Sequence, residues 1–156
     1  MLHLIPATLH RQLYRIAHTI RRQWWRLRKP RRSAAIVLAT DGEGRVLLVR
    51  HSYGRPVWSL PGGGIGRGED PQLAAIREFR EELGCAIADV RPLACEEEPV
   101  SGAHEMQHVF VARLAGTPAP DMRELVEARL FPLDALPPNV GRLTARRIVY
   151  WRDTRG

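Results

Sequence analysis

Leu60-Pro61-Gly62-Gly63-Gly64-Ile65-Gly66-Arg67-Gly68-Glu69-Asp70 runs directly into Pro71-Gln72-Leu73-Ala74-Ala75-Ile76-Arg77-Glu78-Phe79-Arg80-Glu81-Glu82-Leu83-Gly84-Cys85. The five glycines of the first stretch allow positive φ and close backbone approach, so its amides can face an anion. The second stretch reads as a helix from about Asp70 to Leu83. Asp70 caps its start, Pro71 suits its first position and Gly84 suits its end. With Leu73 as origin on a wheel of about 100° per residue, Ile76, Phe79 and Leu83 mark the expected buried face. Glu78, Glu81 and Glu82 then crowd the face opposite. Like charges three and four residues apart repel and weaken a helix. Arg77, four residues before Glu81, relieves part of this. A hard divalent cation, Mg²⁺ or Mn²⁺, relieves the rest, because it takes oxygen ligands and pairs with phosphate oxygens. A lone acidic stripe would be a solvated helix face; the glycine loop before it points to a phosphate-handling site.

Ahead of the loop, Ala34–Thr40 is apolar and strand-like, Asp41-Gly42-Glu43-Gly44 is a turn, and Arg45–His51 holds the buried-strand run Val46-Leu47-Leu48-Val49. After it, Val90–Glu97 and Gln107–Leu114 are expected as two strands, Gly116–Pro120 as a loop and Leu125–Phe131 as a strand. Leu143–Trp151 is expected as a closing helix. The mixture predicts an α+β fold, a sheet with helices packed on it.

Charge divides the chain. Of 24 basic and 17 acidic side chains, residues 1–32 hold nine basic ones and no acid, which leaves 15 against 17 in the remainder. The basic character belongs to one segment, so nucleic acid is not an expected partner of the body. Leu2, Ile5, Leu9, Leu13, Ile16, Ile20, Trp24 and Leu27 draw one apolar stripe along that segment, which Pro30 ends. The expected organisation is a basic amphipathic helical extension over 1–32 and one domain over 33–156. The helix has three plain uses: docking on its own domain, pairing in a homodimer, or peripheral contact with an anionic membrane. Its arginines exclude a spanning helix. Two cysteines make no disulfide framework, and the expected location is cytoplasmic, with a peripheral membrane association the alternative.

Gly63, Glu69 and the run Arg77-Glu78-Phe79-Arg80-Glu81-Glu82-Leu83-Gly84-Cys85 stand at the spacings of the Nudix box, so the chain resembles the Nudix hydrolases. Phe79 and Cys85 stand where aliphatic residues are usual, a departure that concerns packing. The similarity extends more loosely over about residues 33–136. The resemblance implies an α/β/α sandwich with a mixed sheet. It implies that Glu78, Glu81 and Glu82 bind Mg²⁺ or Mn²⁺, and that Gly63, Glu69 and Arg77 support them. The implied reaction is attack of activated water on phosphorus in a diphosphate linkage of a nucleotide-type substrate. A carboxylate takes the proton: Glu81 or Glu82 within the box, or one outside it, for which Glu96, Glu98 and Glu105 are the candidates. The competing readings are a nucleotide-sensing module that binds without cutting and a membrane-associated protein acting through its basic helix. An eroded box would mark the sensor, and this box is complete.

Other residues carry less. Arg50 and Arg67 could meet phosphates, though a solvated arginine is the commoner case. Trp58 beside an apolar strand reads as core. Cys85 and Cys95 read as small buried apolar side chains. His104 and His108 receive no role. Pro99, fifteen residues after Gly84, stands near a proline of ADP-ribose-cleaving members, but proline is common in turns.

Overall fold

The computed structural model describes residues 32–100 and 102–155. The helix expected over the N-terminal segment lies outside them. The elements are β1 (Arg32–Thr40), β2 (Val46–His51), β3 (Gly62–Gly64), α1 (Pro71–Leu83), β4 (Ala86–Val100), β5 (Ala103–Ala115), β6 (Leu125–Phe131) and α2 (Arg142–Asp153). The main sheet runs β4-β5-β1-β2-β6, with β3 paired to β1. β1 and β5 are parallel, and the other strand pairs described are antiparallel. The sheet is therefore mixed, as expected.

One feature of the pairing places the glycine loop. β1 and β2 meet through Thr40 and Val46, next to the turn that Asp41 closes by accepting from the Glu43 and Arg45 amides. Beyond that rung the segment after residue 58 fills the space between them. Val49 and Ser59 exchange backbone bonds, the Val37 amide donates to Pro61, and Ala34–Ile36 pair with β3. The loop is thus anchored in the sheet at its start and leads straight into α1.

Alternation along the strands builds two cores. Ala35, Val37, Ala39, Leu47 and Val49 meet Ala74, Ala75, Phe79 and Leu83 of α1. Leu38, Val46 and Leu48 face the other way, against Trp58, Leu60 and the α2 residues Ile148 and Trp151. Full burial of a side chain such as Phe79 or Leu83 contributes about 1.5–3 kcal/mol. A helix on each face of a mixed sheet is the expected sandwich. Asp70 accepts from the Gln72 and Leu73 amides, Pro71 opens α1, and Gly84 ends it at φ 63°. Left-handed backbone of that kind favours a residue without a Cβ.

Three expectations need correction. The β4–β5 hairpin is longer than its apolar patches suggested, because ladder pairing carries polar residues along with the strands. The helix wheel was rotated: Ala74, Ala75 and Glu82 are buried and Ile76 only partly so. The small alanines allow α1 to approach the sheet closely, which turns the Glu82 side of the helix inward. Cys95 is exposed, not buried. It stands on the edge strand β4, exposed among the described residues. Cys85 and Trp58 are buried as expected.

Candidate functional site

Arg77 ties the glycine loop to the helix. Its Nε donates to Glu69 Oε1 at 2.8 Å and its Nη2 to Glu69 Oε2 at 2.9 Å, a bidentate pair. Nη2 also reaches the Gly64 carbonyl at 3.1 Å, and the Gly66 amide donates to Glu69 at 2.7 Å. The Arg77 guanidinium, followed by the Gly66 amide, brings the Glu69 carboxyl down to about 2. The same carboxylate, with Glu78, holds the arginine above its ordinary range. From its other arm Arg77 donates to Glu78 at 2.7 Å and Glu81 at 3.4 Å. One guanidinium thus spans the loop and two of the three glutamates.

Glu78 and Glu82 are turned toward the protein. A Cβ on Gly63 would collide with the Glu78 carboxylate, so a glycine there is what admits the side chain. Burial pushes the Glu78 carboxyl up, and Arg77 opposes it. Glu82 is 6% exposed, and its buried Oε2 has no hydrogen-bond partner. Its carboxyl is pushed up to about 8, first by burial and then by the negative charges of Glu124, Glu78 and Asp121, against a backbone hydrogen bond from Gly62. A buried carboxylate oxygen with no donor, among three other carboxylates, is an arrangement that a cation would complete.

Glu124 and Asp121 are the residues that sequence reasoning missed. The segment before β6 docks on the end of α1, where the Ala119 amide donates to the Leu83 carbonyl and the Asp121 amide to the Glu82 carbonyl. These bonds satisfy carbonyls that a helix C-terminus leaves open. Asp121 Oδ1 then accepts from the amides of Arg123, Glu124 and Leu125 at 2.9–3.0 Å, which fixes the turn carrying Glu124. Met122, at φ 60°, absorbs the reversal. The available signal was an aspartate three residues before a glutamate, directly ahead of a strand.

The other candidates lie elsewhere. Arg146 of α2 binds Glu96 and Glu98 together, so their expected common face is real. Glu105 is buried and accepts from Gln107 at 2.7 Å, and Gln107 accepts from the buried Arg147 at 2.5 Å. The carboxylates acting on Glu82 do not include these three. Arg50 donates to Glu127 at 3.0 Å and lies 5.8 Å from the Trp58 ring centre. Arg67 is exposed on a cleft of about 560 Å³ beside the glycine loop, which Glu69 and His108 also line. The wall of that cleft does not include Glu78, Glu81 or Glu82, so its size does not identify it with the carboxylate cluster.

The family model described as NUDIX domain matches residues 29–151. An RNA pyrophosphohydrolase of Saccharophagus degradans is 42% identical over 57 residues, which are 36% of this chain and 34% of that protein. An ADP-ribose pyrophosphatase of Mycobacterium tuberculosis is 46% identical over 83 residues, 51% of this chain and 40% of that protein. The chain thus spans less than half the length of either relative. Among solved structures, a MutT NUDIX hydrolase from Burkholderia pseudomallei superposes with a TM-score of 0.70 at 25% identity, over 78% of this chain and 98% of that one.

Proposed function

From a chain that belongs to the NUDIX domain family, we propose a metal-dependent hydrolase that cuts the diphosphate linkage of a nucleoside diphosphate derivative. The observation that carries this reading is Glu82, whose buried oxygen lacks a donor beside Glu78, Glu124 and Asp121. All the donors are carboxylate oxygens, the set that Mg²⁺ or Mn²⁺ prefers. Among the described residues no three His, Cys, Asp or Glu side chains already form a ligand ring. Arg77 engages Glu78 and Glu81 meanwhile. Glu78, Glu81 and Glu82 would hold the cation, with Glu124 as the carboxylate from outside the helix. A cation there would position phosphate oxygens, offset the charge developing on them and acidify water.

The remaining work falls to the chain itself. Arg77 and Glu69 keep the loop and helix in register, and Gly63 gives Glu78 its space. Water oxygen bonds to phosphorus as the bridging phosphate oxygen leaves with the electron pair. The proton of the water passes to a carboxylate of the cluster. Glu81 is the most exposed of the three on the helix, with 62% of its side chain accessible. Glu81 and Glu124 are the acceptors that Gln variants and a pH–rate profile would distinguish. The names of the two relatives support a substrate class of nucleotide diphosphates, with ADP-ribose and 5′-phosphorylated RNA as the first compounds to try.

The test is a screen of ADP-ribose, nucleoside triphosphates, nucleotide sugars and triphosphorylated RNA with Mg²⁺, followed by ³¹P NMR. Hydrolysis of at least one compound, abolished by EDTA, is expected. Nucleotide binding without hydrolysis of any compound would replace the enzyme with a sensing module.

A further inference from the structure

Outside the carboxylate cluster, one face of the β4–β5 hairpin gathers a different kind of donor. Cys95 and His108 stand directly opposite each other in the antiparallel register, and Glu97 stands opposite Met106 one rung along. Side chains of paired residues share a face. The Cys95 sulfur lies 3.6 Å from His108 Nδ1 and 3.5 Å from Met106 Sδ. Cys95 is exposed, Met106 is 38% exposed, and His108 is half-buried in the wall of the cleft beside the glycine loop. Diphosphate hydrolysis by the carboxylates uses neither sulfur.

We propose that Cys95, Met106 and His108 form a binding site for a soft monovalent cation, Cu(I). The donor set selects the ion. Thiolate and thioether sulfur favour Cu(I), imidazole tolerates it, and Mg²⁺ or Mn²⁺ goes to oxygen. Zinc sites draw on cysteine, histidine and carboxylate, so the thioether distinguishes the two metals. The spacing also fits. Thiolate and imidazole ligands lie about 2.0–2.3 Å from such metals, which sets donors in a trigonal plane roughly 3.5–4 Å apart. Two sulfurs in such a plane stand roughly 4 Å apart and a sulfur and a nitrogen roughly 3.8 Å; the Cys95 sulfur, 3.5 Å from the Met106 sulfur and 3.6 Å from the His108 nitrogen, comes within a few tenths of an ångström of both, an opening that side-chain rotation supplies. Two of the donors sit on paired strands and the third lies two residues along β5, so the backbone ladder holds the group together. Glu97 and His104, 3.9 Å apart, occupy the neighbouring positions and pair with each other. Binding replaces the thiol proton: Cys95–SH and Cu(I) give the Cu(I) thiolate and one H⁺, with no change in oxidation state.

The experiment titrates metal-free full-length protein, under ascorbate and without oxygen, into the coloured Cu(I)–bicinchoninate complex. Wild type is expected to withdraw one equivalent of copper. Cys95→Ser and Met106→Leu are each expected to weaken that uptake at least about tenfold, the scale of losing a group that supports a metal. Circular dichroism checks that both variants remain folded. X-ray absorption of the copper-loaded protein is expected to show two sulfurs and one nitrogen. No copper withdrawn by wild type overturns the proposal. Equal uptake by Cys95→Ser, or a shell of nitrogen and oxygen only, overturns it by placing the ion elsewhere. Unchanged uptake by Met106→Leu overturns the three-donor site.

Discussion

Replacing Glu82 with Gln should stabilise the protein when metal is removed, although it disables the proposed metal site. The reason is the sign of the linkage. The Glu82 carboxyl sits at about 8 in the fold against an ordinary value of 4.5. Between those values the folded protein binds a proton that the unfolded chain does not, so stability falls as pH rises. Below pH 4.5 both states are protonated and the effect vanishes; above pH 8 it is complete. A shift of that size predicts that wild type in EDTA loses roughly 3 kcal/mol between pH 5 and pH 8 through this one group. Glu82→Gln has no such proton to bind. In EDTA at pH 8 it should exceed wild type by roughly 1–3 kcal/mol, the lower end allowing for the buried amide. In a chain of this length that is about 2–12 °C in Tm. Urea denaturation in EDTA at pH 5 and pH 8, on both proteins, measures it. Mg²⁺ or Mn²⁺ at pH 8 should then raise wild type and leave the variant nearly unchanged. Parallel pH dependences for the two proteins in EDTA would refute the reasoning, because Glu82 would then not carry the raised carboxyl.

Glu124→Gln should lower kcat by at least about 10²-fold while circular dichroism shows the fold kept, since the Asp121 carboxylate accepts from the amides of the turn. Single Gln substitutions at Glu96, Glu98 and Glu105 should leave turnover unchanged, because Arg146 and Gln107 engage those carboxylates; a loss as large as that of Glu124→Gln would move the outside carboxylate to that position. Gly63→Ala should displace Glu78 and reduce turnover, with an overpacking cost of about 1–3 kcal/mol seen in thermal melts. The Glu69 carboxyl, at about 2, is lowered, so its stabilising pairing with Arg77 is complete above pH 4.5 and fades only as pH falls through 2. NMR titration of the Glu69 carboxyl carbon should find it ionised at pH 4.

The sequence by itself determined what is local. Asp70, Pro71 and Gly84 specify the limits of α1 because capping and left-handed backbone are properties of one residue and its neighbours. The resemblance to the Nudix box implied that Gly63, Glu69 and Arg77 support the helix, and Arg77 and Glu69 pair in the fold. The apolar run Ala34–Thr40 and the buried run Val46–Val49 announced the central strands. Tertiary structure decided how far α1 is rotated. The wheel weighed only large apolar side chains, while the close approach of Ala74 and Ala75 to the sheet turned Glu82 inward. It also decided which distant carboxylate joins the site. Glu124 is 42 residues from Glu82 and reaches it because the Ala119 and Asp121 amides satisfy the open carbonyls of α1. The same holds for Cys95, Met106 and His108, which only the β4–β5 register brings together. Propensity and capping act over a few residues, so they can be read along the chain; rotation, register and long-range charge depend on what packs against what.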